Sequence, residues 1–311
     1  MRPQVRGDRE GRPQVYAQLL LAAVILLWGA NWPVMKVGVQ SIPPLWFAVA
    51  RLLLGALTLL LVLVAIGRLR VPRRSDWPVL LSVGGLQMGI FLAFINTALL
   101  YVPAGRSAVL AYTTPLWVTP AAVLLLGERF TAGRAAGLAL GLGGVVLLFN
   151  PLSFDWGDWD SVMGNCLLLA AALGWAGAIL HVRAHSWDSS PLQLAPWQML
   201  LAAPPLAALA WVSEGVPRIR WSPELIAILV YNGPIATAFC YWAAVTVTRA
   251  LPAITTSLGF LGVPVAGVLF SAVSLGEPLS ATLVSGLLLI VSGIALVNLA
   301  TLRRAAGADG G

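Results

Sequence analysis

AYTTPLWVTPAAVLLLGERFTAGRAAG, residues 111–137, sets prolines inside an apolar run, turns at a Gly-Glu pair and begins a second apolar run with spaced glycines. The same order returns at 258–286 as LGFLGVPVAGVLFSAVSLGEPLSATLVSG. A shift of 149 positions places Pro103 on Pro252, Ala104 on Ala253, Pro115 on Pro264, Gly127-Glu128 on Gly276-Glu277, Gly137 on Gly286 and Gly144 on Gly293. Duplication is the simplest source of that register. Proline-interrupted apolar segments at corresponding places in two halves are the parts of a membrane transport repeat.

The rest of the chain has the same character. Of 311 residues, 59% are hydrophobic and 10% are charged, with a mean hydropathy of +0.87, whereas a soluble domain carries roughly 25% charged residues. Crossing the hydrocarbon core takes about 20 apolar residues. Ten candidate spans, near 16–36, 44–66, 77–99, 104–126, 131–149, 161–184, 191–213, 223–246, 253–274 and 279–301, are separated by short polar corners. The expectation is an all-α polytopic membrane protein with ten transmembrane helices and no room for an extramembrane catalytic module. Its organisation would be an N-terminal tail 1–15, a first five-helix repeat 16–150, a linker 151–160, a second, inverted repeat 161–301 and a C-terminal tail 302–311.

A net charge of +7 and a pI near 10.2 would suit nucleic acid if the basic residues formed a patch. They lie instead in short loops between apolar spans, where the positive-inside bias accounts for them, so no nucleic-acid partner is expected. With the N-terminus inside, fourteen Lys and Arg fall on the cytoplasmic side, four fall outside (Lys36, Arg106, Arg218 and Arg220), and Arg51 lies within a span. Both termini are therefore expected in the cytoplasm, and residues 151–160 in the periplasm of a bacterial inner membrane. The N-terminal run continues through WGANWPVMK and nine similar segments follow, which favours an uncleaved first span over a signal peptide. Cys166 and Cys240 fall inside spans without metal-ligand neighbours and read as small buried hydrophobes.

The repeat reaches the start of each half at a shift of 147, where Ala23 meets Ala170, Trp28 meets Trp175, Ala48 meets Ala195, and Leu53-Leu54 meets Leu200-Leu201. At the same shift Arg51 faces Gln198, and WGAN faces WAGA. Five spans per half is an odd number, so the second half must enter the membrane upside down. The halves are then related by a pseudo-twofold axis in the membrane plane, and a substrate site belongs near that axis at mid-depth.

WGANWPVMK in the first span, ARLLLGAL in the second, FINTALLYVPAGRSAVLAYTTPLWVTPAAVLLLGERFTAGRAAGLALGLGGVVLL across the next three, and the GEP corner at 276–278 resemble a drug/metabolite transporter of the ten-helix EamA type, in particular bacterial aromatic amino acid exporters. The resemblance covers nearly the whole chain. It implies two inverted five-helix bundles, with helices one, three, four, six, eight and nine around a central cavity. Members move small organic solutes, among them amino acids, drugs, nucleotide sugars and triose phosphates.

The spans offer three kinds of chemistry. A helical proline leaves the carbonyl four residues earlier without its N–H partner, so Pro115 frees Ala111 and Pro264 frees Phe260; such carbonyls could hold an ammonium group or be satisfied by Ser, Thr or water. Trp46, Trp77, Trp156, Trp159, Trp187, Trp211 and Trp221 lie near membrane faces, where amphipathic rings anchor. Trp28, Trp117 and Trp175 sit at mid-span, with Phe91, Tyr112, Tyr241, Trp242 and Phe260 on other cavity helices, where they either pack or line a pocket. With Asn31, Pro115 and Pro264 they make the expected substrate-binding set, suited to an aromatic or large apolar solute.

No Asp or Glu lies in the middle of a span, and intramembrane carboxylates are the usual proton relays. Glu128 and Glu277 sit at helix ends and, with Arg51, are read as structural; His181 is the one candidate for a proton-linked role. A phosphate carrier would need several cations converging at mid-depth, which the sequence lacks. No metal, cofactor or catalytic residue is expected. The function expected is a facilitator or exchanger exporting amino acids with aromatic or bulky apolar side chains; the alternatives are a proton-coupled exporter of other metabolites or drugs and, behind it, a polytopic membrane enzyme.

Overall fold

The computed structural model describes residues 11–126, 131–149, 157–185, 187–250 and 259–308. Among them every regular element is helical. In chain order these are α1 (Gly11–Gly38), α2 (Pro44–Ala65), α3 (Arg74–Ala98), α4 (Ala104–Leu125), α5 (Ala132–Phe149), α6 (Trp159–Ala184), α7 (Pro191–Glu214), α8 (Pro223–Ala244), α9 (Gly262–Leu275) and α10 (Ala281–Ala308). Eight are long and apolar enough to cross a membrane, while α5 and α9 are shorter apolar helices. The first helix begins five residues before the expected span and the last runs seven beyond it.

Local chemistry fixes the ends. Pro44 opens α2 at a position where its missing N–H costs nothing. Ser190 opens α7 with a capping box: its Oγ accepts from Gln193 N at 3.3 Å, and Gln193 Oε1 accepts from Ser190 N at 3.2 Å. Gly276, at φ 68°, ends α9 in the left-handed region that favours glycine. The Gly-Glu corner is therefore a helix stop.

Two helices are not uniformly α. Residues Val83–Ile90 of α3 and Tyr231–Phe239 of α8 form wide π-helical turns, at corresponding places in the two halves. Helix α4 breaks between Ala111 and Thr114. There Thr113 Oγ1 donates to Leu110 O at 2.7 Å and Thr114 Oγ1 to Ala111 O at 3.3 Å. The carbonyl freed by Pro115 is thus taken by a threonine hydroxyl, the plainer of the two readings of that proline.

The halves meet reciprocally. A Cβ on Gly137 would lie 2.7 Å from Gly293 O, and one on Gly144 would lie 2.8 Å from Gly286 O. Since Gly137 and Gly286 are repeat equivalents, as are Gly144 and Gly293, each half offers the other the same two positions. That is the signature of an isologous contact. Small residues let two helix backbones approach this closely in lipid. The helices α5 and α10 run antiparallel, so the twofold relating them is perpendicular to both, in the plane of the expected membrane.

Outward, the surface is apolar: Leu57, Leu61, Leu124, Leu125, Val212 and Val273 are all exposed, as lipid-facing positions should be. Trp77, Trp159, Trp211 and Trp221 are exposed near helix ends, where interfacial anchors lie.

Candidate functional site

A cavity of ≈ 1030 Å³ lies inside the bundle. It is lined by five of the six helices expected around the centre (α1, α3, α4, α6 and α8), by Phe260 and Leu261 just before the sixth, α9, and also by α2 through Arg51 and by α10 through Ile294, Val297 and Asn298. At one face its lining reaches the first turn of α5 at Arg134 and the start of α7 at Pro191. This is the face on which α1 starts and α10 finishes.

The other face is closed by polar contacts. Lys36 Nζ donates to the carbonyls of Leu99 and Val102. Glu277, just past α9, accepts from Ala104 N at 2.6 Å and Gly105 N at 2.9 Å, capping α4. Glu214, at the end of α7, accepts from Leu45 N at 2.9 Å and Trp46 N at 3.3 Å, capping α2. A carboxylate at a helix N-terminus meets unpaired N–H groups and the positive end of the dipole. In both cases the acid comes from the repeat equivalent of the helix it caps. Arg106 also donates to Leu148 O, and Val39, Ile42, Leu99 and Val102, in the segments that follow α1 and α3, are buried.

Of the residues singled out from sequence, Trp28, Asn31, Phe91 and Tyr112 line the cavity, together with Pro115, Trp175, Tyr241 and Phe260. Phe91 and Trp175 meet edge to face with ring centroids 4.5 Å apart, and Trp28 and Phe260 are 5.9 Å apart. Trp28 Nε1 donates to Ala236 O at 2.8 Å, in the wide-turn segment of α8, and Tyr231 Oη donates to Leu27 O at 2.6 Å. These two bonds pin α1 to α8 beside the cavity.

Trp117, Trp242 and Pro264 are not part of this lining. Beyond the break at Ala111–Thr114, the lining residues of α4 are Pro115, Val118, Thr119 and Ala122, one face at helical spacing. Trp117 lies two residues from Pro115, about 200° around the axis, and its Nε1 donates to Thr113 Oγ1 at 3.2 Å. Trp242 is turned about 100° from Tyr241 and packs on Phe239, 5.7 Å away, beside Leu20, Val24 and Val247. Pro264 is buried among packed helices. His181 lies near the end of α6 with its ring stacked on His185 at 4.1 Å, and Glu128 falls outside the described residues.

Arg51, which its position in the sequence marks as structural, lines the cavity at 6% exposure. Its Nε and Nη2 donate to Thr237 Oγ1 at 3.2 and 3.0 Å, and Nη1 reaches Met35 Sδ at 3.0 Å. Thr237 Oγ1 in turn donates to Asn232 O at 2.7 Å. Gln87 and Thr237 are lining residues that sequence reasoning did not select. The Asn-Gly-Pro at 232–234 was the available pointer to a distorted α8. A smaller recess of ≈ 330 Å³ shares Gln87, Trp175 and Tyr241 with the cavity and holds Gln198, whose Oε1 is buried without a partner.

Ten helices in two reciprocally packed halves, around a mid-depth cavity reaching one face, define the architecture of an inverted-repeat membrane transporter. The chain belongs to the EamA-like transporter family, whose model matches it twice, at residues 15–150 and 162–299. An uncharacterised transporter of Bacillus subtilis (strain 168) is 28% identical over 281 residues, 90% of this chain and 96% of that protein. A Salmonella typhimurium protein named "Probable amino-acid metabolite efflux pump" is 31% identical over 295 residues, 88% of this chain and 92% of that protein. A solved structure at 24% identity superposes with a TM-score of 0.61, covering 93% of this chain and 97% of that one, which supports the fold.

Proposed function

We propose that the protein is a facilitator or exchanger that exports amino acids with aromatic or bulky apolar side chains from the cytoplasm of a bacterial cell, by alternating access around the central cavity and without a catalytic step. The observation that carries this reading is the ring-lined cavity reaching one face only. Aromatic contacts add about 0.5–1.5 kcal/mol beyond area burial, so rings on several walls favour a solute with a large apolar side chain. The Salmonella relative's name supports an amino-acid substrate. With both termini in the cytoplasm, residues 151–160 in the periplasm and the fold in the inner membrane, the cavity faces the cytoplasm, where an export substrate loads. The described lining contains no Asp or Glu, which supports movement without a buried-acid proton relay.

The test is flux of labelled phenylalanine, tryptophan and other neutral amino acids into proteoliposomes, with and without a pH gradient. Saturable flux that ignores the gradient is expected. Absence of saturable flux for every neutral amino acid overturns the substrate assignment, and flux that requires the gradient overturns the uncoupled mechanism.

A further inference from the structure

Arg51 carries a buried charge that no described carboxylate neutralises: it is 6% exposed, and the ion pair among the described residues is elsewhere, between Arg73 and Asp188. Burying a guanidinium is costly unless it is paired. Three of its five N–H donors are used, on a hydroxyl and a thioether, both neutral. Two donors remain, one on each terminal nitrogen, a fork that matches a carboxylate.

The second half of the pattern is on α1. Asn31 lines the same cavity, is 5% exposed, and its Oδ1 has no hydrogen-bond partner. Met35, which Arg51 Nη1 touches at 3.0 Å, lies four residues from Asn31 on the same helix face. An orphaned acceptor therefore sits one helical turn along the wall from an unneutralised cation. An unsatisfied buried acceptor is expensive to keep, and both expenses vanish together on a ligand with one anionic and one donating group.

We propose that Arg51 and Asn31 form the polar pole of the substrate site, Arg51 taking the carboxylate of the transported amino acid and Asn31 Oδ1 its ammonium. The assignment rests on the amino-acid reading above and adds which end of the substrate goes where. The side chain then lies among Trp28, Phe91, Trp175 and Phe260. With Arg51 in the lining and no described Asp or Glu beside it, the field in the cavity favours an anionic group over a free amine.

The test compares three ligands on the purified full-length protein: phenylalanine, phenethylamine without the carboxylate, and 3-phenylpropionate without the ammonium. Affinity is read by competition and transport in proteoliposomes. For the natural protein phenethylamine should bind roughly 10- to 100-fold more weakly than phenylalanine, the size of a lost charge-assisted hydrogen bond. In Arg51→Gln phenylalanine should weaken by that factor while phenethylamine holds or improves, because a like charge has gone. Arg51→Lys should recover part of the discrimination. In Asn31→Leu phenylalanine should weaken about tenfold and 3-phenylpropionate should not.

A purely structural Arg51 would weaken all three ligands alike, and that result overturns the assignment. So does equal binding of phenylalanine and phenethylamine by the natural protein, which holds even where Arg51→Gln fails to fold. Saturable phenylalanine flux with no carboxylate preference removes this inference and leaves the proposed function standing. Absence of flux for every neutral amino acid removes both.

Discussion

The seam between α5 and α10 and the paired positions on α2 and α7 answer to the same duplication in opposite ways. At the seam the halves remain interchangeable: Gly137 meets Gly293 and Gly144 meets Gly286. On α2 and α7 the equivalents are Arg51, which holds Thr237 in the main cavity, and Gln198, whose Oε1 is unpaired in the side recess. Scaffold contacts can stay symmetric because helix packing requires the same thing of both halves. A binding site for a molecule with two different ends cannot.

The largest disturbance should come from breaking the symmetric side. A Cβ on Gly293 would lie 2.5 Å from Gly141 N and 2.6 Å from Gly137 O, atoms of a facing backbone that cannot give way by rotating a side chain. Gly293→Leu should cost at least the roughly 1–3 kcal/mol of an overpacked core, read as a large loss of folded yield and of melting temperature in detergent. Gly143→Ala, on the partner helix α5 but with nothing within 4 Å of its Cβ, is the control and should melt as the natural protein does.

Breaking the asymmetric side should be milder and should act on ligand binding. Thr237→Val removes the hydroxyl that orients two Arg51 donors, and the affinity for phenylalanine should drop about tenfold, as for a hydrogen bond to a charged group. Unchanged affinity would mean that Thr237 does not position the guanidinium. Glu277→Gln keeps one acceptor at the α4 N-terminus but loses the charge. That should weaken the closed face by about 0.3–1 kcal/mol, raising its open population up to about fivefold. The readout is labelling of Thr114→Cys by an impermeant thiol reagent from that face, in a protein lacking Cys166 and Cys240. The smallest effect belongs to Gln198→Leu, which replaces an unsatisfied acceptor by an apolar group of similar size and should leave transport within about twofold. A strong loss there would show that the second half contributes its own polar contact.

How far these features could be read beforehand follows from what a lipid-embedded sequence records. Length, hydropathy and the repeat register point to the ten helices and to the equivalence of Gly137 with Gly286 and Gly144 with Gly293, because each depends on residue type at a chain position; that these glycines meet across the seam is visible only in the structure. Rotation about a helix axis leaves a weaker trace: in a bilayer both the packed face and the lipid face are apolar, so the amphipathic period that orients a soluble helix is muted. Hence Pro115 and Trp117, or Tyr241 and Trp242, looked equivalent although only the first of each pair lines the cavity. The wide turns at 83–90 and 231–239 change backbone bonding and leave little mark in residue type beyond the Asn-Gly-Pro at 232–234, and Arg51 could be placed at a depth without being aimed. Glu128 was legible as the partner of Glu277 in the repeat, but it lies outside the described residues.

The glycine seam also bears on stoichiometry. A heterologous contact leaves one copy of each patch free to take up the next molecule, whereas an isologous one closes on itself. Because the two halves of one chain already present the reciprocal patches to each other, α5 and α10 consume this self-complementary surface within a single polypeptide. At that place the chain is its own dimer, and its glycine backbone is not available to recruit a second copy.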